Sequence, residues 1–187
     1  MVGNMIGQSM GNLDLIVEAV ISQYDWNAAR VADGAAIRIP AAFLELLNST
    51  SPEDSAKAYW KLENHVVVQG SLFEASVGVV SLISAALTDV TRPRWVKIQL
   101  LELLFQIVSG ESHSDEVARG VADLGLRCRN EAKTMLWILY GIFQAGDLWR
   151  AAREVIEIID DDQSLLATLD RLNQKNGRFD TSQPLKI

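Results

Sequence analysis

The sequence has one cysteine, four prolines and no long uncharged run, and these shortages exclude whole classes of protein. The lone Cys128 excludes an intramolecular disulfide framework and a cysteine-rich zinc site, and it fits a reduced cytoplasmic setting. The longest uncharged runs, residues 75–88 and 134–146, are shorter than the ~20 residues that a membrane-spanning helix needs. Residues 1–11 lack the regions of a signal peptide. We therefore expect a cytoplasmic protein with no membrane contact.

Basic residues are also in short supply. The chain has 17 Lys and Arg against 24 Asp and Glu, which gives a formal net charge of -7. Binding of nucleic acid needs clustered Lys and Arg to neutralise phosphates, so we expect no nucleic-acid partner. The acidic balance suits a basic protein partner, although many cytoplasmic proteins are acidic for solubility alone.

Catalytic and metal-binding motifs are missing as well. The sequence contains no glycine-rich phosphate loop, no serine elbow and no His-Glu zinc helix. The two histidines, His65 and His113, lack the spacing of metal ligands. Cys128 stands between two arginines, which would lower a thiol pKa, but no suitably placed base accompanies it. We therefore expect no enzymatic activity, no metal and no cofactor.

Helical periodicity is what the sequence does contain. Apolar residues recur at helical spacing along most of the chain, and period-2 runs are very short. The stretch 92–109 is apolar nearly all round, so it is predicted to lie at the centre of the fold. The length predicts a single domain over residues 1–187, with a loose N-terminus at 1–11 and a flexible tail at 176–187. We predict an all-α fold of about eight or nine helices.

Short turns between the predicted helices favour antiparallel pairs. The predicted pairs are 41–48 with 52–68, 71–87 with 93–109, 115–129 with 131–145, and 148–159 with 163–173. Their spacing of ~40 residues is that of HEAT and armadillo units. The sequence therefore predicts stacked helical hairpins, an α-solenoid, with an irregular helical bundle as the alternative.

Polar residues near residue 70 have simple helix-end interpretations. Gln69-Gly70 is predicted to end a helix, with Gly70 in a left-handed cap. Ser71 and Glu74 have the spacing of a capping box. His65 is expected to pack against or bond the Gln69-Gly70 turn rather than to contact a partner.

Residues 58–76, together with 83–87 and 100–110, carry a resemblance. They contain an aromatic helix with a histidine, a Gln-Gly turn and an aromatic-Glu-Ala helix start. This pattern resembles a group of bacterial HEAT-repeat-like proteins, and the similarity extends over about residues 35–160. Some members of that group accompany polymorphic toxin genes and look like immunity proteins. The resemblance implies a module that neutralises a cognate toxin by stoichiometric binding and occlusion.

Candidate binding residues follow from aromatic anchors and from acidic groups at the predicted turns. Large aromatic side chains often anchor interfaces, and clustered carboxylates would attract a toxin with a basic surface. The candidates are Trp60, His65, Glu111, Asp115, Glu116, Asp147, Trp149, Asp160, Asp161 and Asp162. Helix capping and solvation are the competing explanations for the acidic ones.

Two other functions stay open at this point. One is a structural adaptor or oligomer subunit, which would use an open end of the helical stack. The other is a nucleic-acid-processing enzyme, since some DNA glycosylases are built from HEAT-like helices, but the acidic balance opposes it.

Overall fold

The computed structural model describes residues 14–177 of the chain. Those residues are mostly helical, so the all-α prediction is confirmed in its coarse form, with a few short strands in addition. The helices of this part are α1 Asp14–Gln23, α2 Ile39–Leu47, α3 Pro52–Val66, α4 Ala75–Leu87, α5 Arg94–Ser109, α6 Ser114–Ala118, α7 Leu124–Lys133, α8 Leu136–Ala145, α9 Trp149–Ile159 and α10 Ser164–Lys175. The strands are β1 Arg30–Val31, β2 Gly34–Ala35, β3 Val67–Val68, β4 Ser71–Leu72 and β5 Glu111–Ser112, and Ala36–Arg38 form a 3₁₀ turn. Residues 14–177 contain ten helices, against the eight or nine predicted for the chain.

The helices pack in two layers. In one layer α5 lies between α3 and α9, with α2 beside α3 and α8 beside α9. In the other layer α4 lies between α1 and α7. Helices α4 and α7 also contact α5, so the two layers share one apolar core.

Helix α5 occupies the centre, as its nearly continuous apolar sequence predicts. Leu100, Leu101, Leu103 and Leu104 are all 0% exposed. These side chains pack among α3, α4, α7 and α9, while Glu102 in the middle of the helix and Arg94 and Ser109 at its ends are exposed. The prediction for the centre of the fold is confirmed.

A small sheet ties the ends of α3 and α5 to the start of α4. Strand β3 pairs antiparallel with β4, and β4 pairs parallel with β5. Gln69 and Gly70 have φ angles of 51° and 78°, and a two-residue type I′ hairpin turn requires positive φ at both positions. The predicted break at Gln69-Gly70 is therefore present. It is a hairpin turn and not the predicted left-handed helix cap.

The predicted capping box of Ser71 and Glu74 is wrong. Ser71 lies in β4, and α4 begins only at Ala75 without a side-chain cap from Glu74. Strand pairing of Ser71 moves the start of the helix further along the chain. The Glu74 carboxylate instead approaches Arg30, with 3.3 Å between Oε1 and Nη2.

The segment before α2 contains a second small hairpin. Strands β1 and β2 pair antiparallel, and a turn at Ala32-Asp33 connects them. Two hydrogen bonds hold this segment on the core: Tyr24 Oη donates to the Glu74 carbonyl at 3.0 Å, and Ala32 N donates to the His65 carbonyl at 3.0 Å.

The segment predicted as one helix over 115–129 is divided. Helix α6 ends at Ala118, and Gly120 turns the chain with a φ angle of 88°. Helix α7 then continues through Asn130 to Lys133, so the predicted boundary at Asn130 is wrong. The extensive contacts of α7 are with α4, α5 and α9, while α8 pairs with α9.

None of the helices within residues 14–177 is long and apolar enough to cross a lipid bilayer. The predicted loose N-terminus at residues 1–11 lies outside the described residues, and so do residues 178–187 of the predicted tail.

Candidate protein-binding surface

Most of the acidic side chains predicted to meet a basic partner have partners within the chain. Three of them form ion pairs, namely Glu111–Arg129 at 3.0 Å, Asp147–Arg94 at 2.9 Å and Asp161–Lys133 at 2.7 Å. A carboxylate with its own cation presents little net negative charge to a second protein. These ion pairs leave less negative charge for the expected acidic patch.

Two further candidates, Asp160 and Asp162, shape the turn between α9 and α10. Tyr140 Oη donates to Asp160 Oδ2 at 2.6 Å, and Ser164 N donates to Asp162 Oδ1 at 3.0 Å. The hydrogen bonds from Ser164 lower the pKa of Asp162, because they favour the ionised carboxylate. Both residues have a structural role at the start of α10.

Glu116 is buried, with 1% of its side chain exposed, and it is bound by a single arginine. Arg30 Nε donates to Glu116 Oε1 at 3.1 Å, and Arg30 Nη2 donates to Oε2. Arg30 thus bridges Glu116 and Glu74. The neighbouring Asp115 is 70% exposed and lies 3.8 Å from His113 Nδ1.

A recess of about 240 Å³ opens beside this cluster. Residues 27–32, Gly34 and Ala35 line this recess together with Phe73, Asp115, Glu116 and Arg119. The recess contains cations and carboxylates together, and the Arg30 guanidinium already binds two carboxylates. The geometry favours a structural junction between the β1–β2 hairpin and α6.

The two histidines also serve local structure. His65 Nδ1 lies 3.1 Å from Asp33 Oδ1, so its partner is the β1–β2 turn rather than the Gln69-Gly70 turn. His113 stacks on Phe73 with ring centroids 4.9 Å apart, and its Nδ1 accepts a hydrogen bond from Asp115 N. In the stretch 14–177 no group of three or more His, Cys, Asp or Glu side chains is placed to hold a metal ion.

The tryptophan candidates differ in exposure. Trp60 is 55% exposed on α3, which suits an interface anchor. Trp149 is half-buried, with its ring edge-on to Phe143 at 6.4 Å and Arg150 stacked 5.1 Å from its centroid. The most exposed tryptophan is Trp137 on α8, at 77%, which the sequence did not single out.

A different surface combines exposed apolar groups with carboxylates that have no ion pair among the described residues. We call it the α3–α5–α9 face and define it by Trp60 and Glu63 on α3, Glu102 and Phe105 on α5, and Glu154 on α9. Phe105, Glu63 and Glu154 are half-buried, and Glu102 is exposed. Glu102 accepts a hydrogen bond from the neutral amide of Gln106 at 3.2 Å, which leaves its charge uncompensated.

The carboxylates of this face raise the pKa of neighbouring acidic groups. Burial raises the pKa of Tyr59, and the negative charges of Glu102 and Glu63 raise it further. Burial also raises the pKa of Glu154, and Glu102 adds to that effect, while Arg153 and Arg150 act in the opposite direction. Burial raises the pKa of Glu63. The negative charge of Glu102 therefore reaches Tyr59 on α3 and Glu154 on α9.

Sequence reasoning missed this face because its members are far apart in the chain and are not at turns. Glu63, Glu102 and Glu154 each stand within a helix, where a solvated charge is the usual interpretation. The available signal was the polar stripe of the otherwise apolar α5, where Glu102 is the only carboxylate. The sequence of α5 thus points to Glu102 alone, and the packing of the helices is needed to identify Glu63 and Glu154.

Cys128 is 0% exposed within α7. Burial raises its thiol pKa to about 12, although Arg127 and Arg129 act in the opposite direction. Desolvation thus outweighs the two flanking charges. The structure fits the interpretation of Cys128 as an unreactive core residue.

Comparison of the chain with protein-family models, with curated proteins and with solved structures finds no match.

Proposed function

We propose that this chain is a non-enzymatic protein-binding module that neutralises a cognate bacterial toxin by stoichiometric binding and occlusion. The toxin presents a basic surface, and the module acts in the cytoplasm. The α3–α5–α9 face is the surface that binds it. The immunity role itself comes from the resemblance of residues 58–76 to HEAT-repeat-like proteins.

The observation that supports the proposal is the set of three carboxylates without an ion pair on the α3–α5–α9 face. None of Glu63, Glu102 and Glu154 has an ion pair within residues 14–177. A Lys or Arg from a partner would supply the missing counter-charge and form charge-assisted hydrogen bonds. Trp60 would provide the apolar anchor that such interfaces use.

The layered packing supports a HEAT-like stack as the scaffold of this module. Helices α1, α4 and α7 form one layer and α3, α5 and α9 form the other, as the two helices of successive hairpins would. Three neighbouring helices then present one continuous surface. Such a rigid surface binds without a large loss of conformational freedom, which favours tight occlusion.

Co-expression with the product of an adjacent toxin gene tests the proposal. We expect the two proteins to co-purify as a complex of one chain each, and we expect this chain to restore growth to cells that produce the toxin. The absence of a complex between the two purified proteins would contradict toxin binding. A stable complex that leaves the toxin fully active would contradict neutralisation.

A further inference from the structure

An apolar recess of about 480 Å³ lies where the end of α4, the start of α5 and helix α8 meet. Its volume is within the range of about 300–1,000 Å³ that is typical of small-molecule sites. Leu87 and Leu148 in its lining are buried, whereas Val90 and Gly141 are exposed, so the recess extends from the core to the surface. A Cβ atom on Gly141 would meet no atom within 4 Å, so the space beside this glycine is open. The apolar side chains of the lining are Leu87, Val90, Ile138, Ile142, Ala145 and Leu148.

The charged residues of the lining are Lys97 and Asp147, and only the aspartate has an ion-pair partner. Arg94 Nε, which is not part of the lining, donates to Asp147 Oδ1 at 2.9 Å. Lys97 is half-buried, and its Nζ donates to the Val90 carbonyl at 3.2 Å. It forms no ion pair within residues 14–177. An ammonium group has three donor hydrogens, so Lys97 can still bind an acceptor on a ligand.

The start of α5 adds to the positive potential around Lys97. The N-terminal end of a helix carries a partial positive charge, and the first turn of α5 contains no acidic residue to offset it. The nearby Asp89 interacts with the Lys97 charge. Its carboxylate, however, accepts hydrogen bonds from Thr91 N at 2.9 Å and from Thr91 Oγ1 at 2.6 Å. The recess therefore combines an apolar lining with a cation that lacks an ion pair, in a chain whose formal net charge is -7.

An amphiphile with an apolar chain and an anionic head group is complementary to both features of the recess. Its chain would remove the apolar lining from water. Its carboxylate would accept charge-assisted hydrogen bonds from Lys97 Nζ, whereas a wholly apolar ligand would cover the ammonium group without replacing its water. A cationic head group would be repelled by the lysine. Charge complementarity at Lys97 thus selects the sign of the head group.

We propose that this recess binds a small fatty carboxylate, whose chain lies among the α4 and α8 side chains and whose carboxylate binds Lys97. The lining contains none of the five residues that define the α3–α5–α9 face. Binding of a fatty carboxylate and binding of a toxin can therefore each fail alone.

Titration calorimetry of the purified full chain with decanoate, kept below its critical micelle concentration, tests the proposal. We expect saturable binding of one decanoate per chain. Octanoate has two methylene groups fewer and should bind about tenfold more weakly. Decyltrimethylammonium has a chain of the same length and the opposite charge. It should bind at least about tenfold more weakly than decanoate, although the acidic chain as a whole attracts cations.

Two variants alter the recess itself. Lys97→Met removes the charge and keeps the apolar part of the side chain, so it should weaken decanoate binding by at least about tenfold. Gly141→Leu should weaken it comparably by filling the recess, and the open space beside Gly141 allows this change without an internal clash. Lys57→Met is the matched control, because Lys57 is 73% exposed on α3 and does not line the recess. Circular dichroism spectra establish that each variant is folded.

Saturable binding of decanoate that both recess variants weaken, and that Lys57→Met leaves at the wild-type affinity, supports the proposal. The absence of saturable binding would overturn it. Equal or tighter binding of decyltrimethylammonium would also overturn it, because the head group would then not be recognised by Lys97. Unchanged decanoate affinity in either recess variant, or an equal loss in Lys57→Met, would place the binding elsewhere on the chain.

Discussion

Arg30 binds Glu116 through both carboxylate oxygens, although the two residues are 86 positions apart in the sequence. The carboxylate is 1% exposed and the arginine side chain is 32% exposed, so the guanidinium closes the outer side of a buried charge. The same guanidinium lies 3.3 Å from Glu74. The pair therefore joins the β1–β2 hairpin both to α6 and to the start of α4.

Arg30→Met should destabilise the protein. The change leaves the Glu116 carboxylate buried without a counter-charge, and the loss of a hydrogen bond to a buried charged group costs about 2–3 kcal/mol. Chemical denaturation measures the effect on the free energy of unfolding.

Two comparisons make this prediction specific. Arg119→Met changes an exposed arginine at the same recess, so it should stay within about 0.5 kcal/mol of the wild type. The double change of Arg30→Met with Glu116→Gln should recover part of the lost stability, because the buried charge is then gone. If Arg30→Met were as mild as Arg119→Met, the junction would not contribute to stability.

Cys128 should not react with a thiol reagent in the native protein. Its side chain is 0% exposed, and burial raises its pKa to about 12, so almost no thiolate is present at neutral pH. In denaturant the same reagent should modify one thiol per chain, since the sequence has one cysteine. Rapid native labelling would show that α7 opens or packs differently.

Gly125→Ala should cost about 1–3 kcal/mol of stability, the usual range for overpacking. A Cβ atom on Gly125 would lie 2.7 Å from the Gly110 carbonyl and 2.5 Å from Glu111 Oε2, and the carbonyl belongs to backbone that cannot move freely. Gly141→Ala is the matched helical glycine with open space, and it should be neutral or stabilising. Denaturation at low protein concentration excludes any contribution from association. Equal effects of the two changes would contradict the tight contact between α7 and β5.

The double change Glu63→Gln with Glu154→Gln should stabilise the free protein at neutral pH. Burial raises the pKa of both carboxyls above the unfolded value of about 4.5. The free energy of unfolding therefore falls as the pH rises above about 4.5, because the two groups ionise less readily in the folded state. Removal of both charges should raise the melting temperature at pH 7 and have little effect near pH 4. The gain is small, on the order of 0.5 kcal/mol per site, because both groups are partly exposed.

Glu53→Gln provides a control of opposite sign. Glu53 stands in the first turn of α3, where a negative charge is favourable. Its neutralisation should leave the melting temperature unchanged or lower at pH 7. If the double change also lowered the melting temperature at pH 7, desolvation of the two carboxylates would not destabilise the folded protein.

The spacing of apolar residues predicted most helices of this fold, because each helix buries one apolar face. The apolar sequence of α5 identified its central position. The start of α3 has a Ser51 cap of the kind that a serine before Pro-Glu-Asp favours, with Asp54 N donating to Ser51 Oγ at 3.1 Å. The small sheet was missed because β4 pairs with β5, a strand that follows a further helical hairpin. A strand of two residues is too short to show the alternation of apolar and polar residues that identifies a strand in a sequence.

The candidate surface was harder to predict than the fold. The distribution of charge along the sequence pointed to turn residues such as Asp147 and Asp161. In the fold, however, Arg94 and Lys133 from other helices form ion pairs with them. Conversely, Glu102 and Glu154 looked like ordinary solvated residues within helices. Only the packing of α5 against α9 places them on one face.

The affinity of two charge-matched variants for the adjacent-gene toxin tests the central claim most directly. Glu102→Lys with Glu154→Lys reverses charge on the α3–α5–α9 face. Glu18→Lys with Asp123→Lys makes the same change in net charge on α1 and before α7, which belong to the other layer. Titration calorimetry should show binding weakened by about a hundredfold or more for the first variant and near wild-type binding for the second. Equal affinities for the two variants would contradict the assignment of this face.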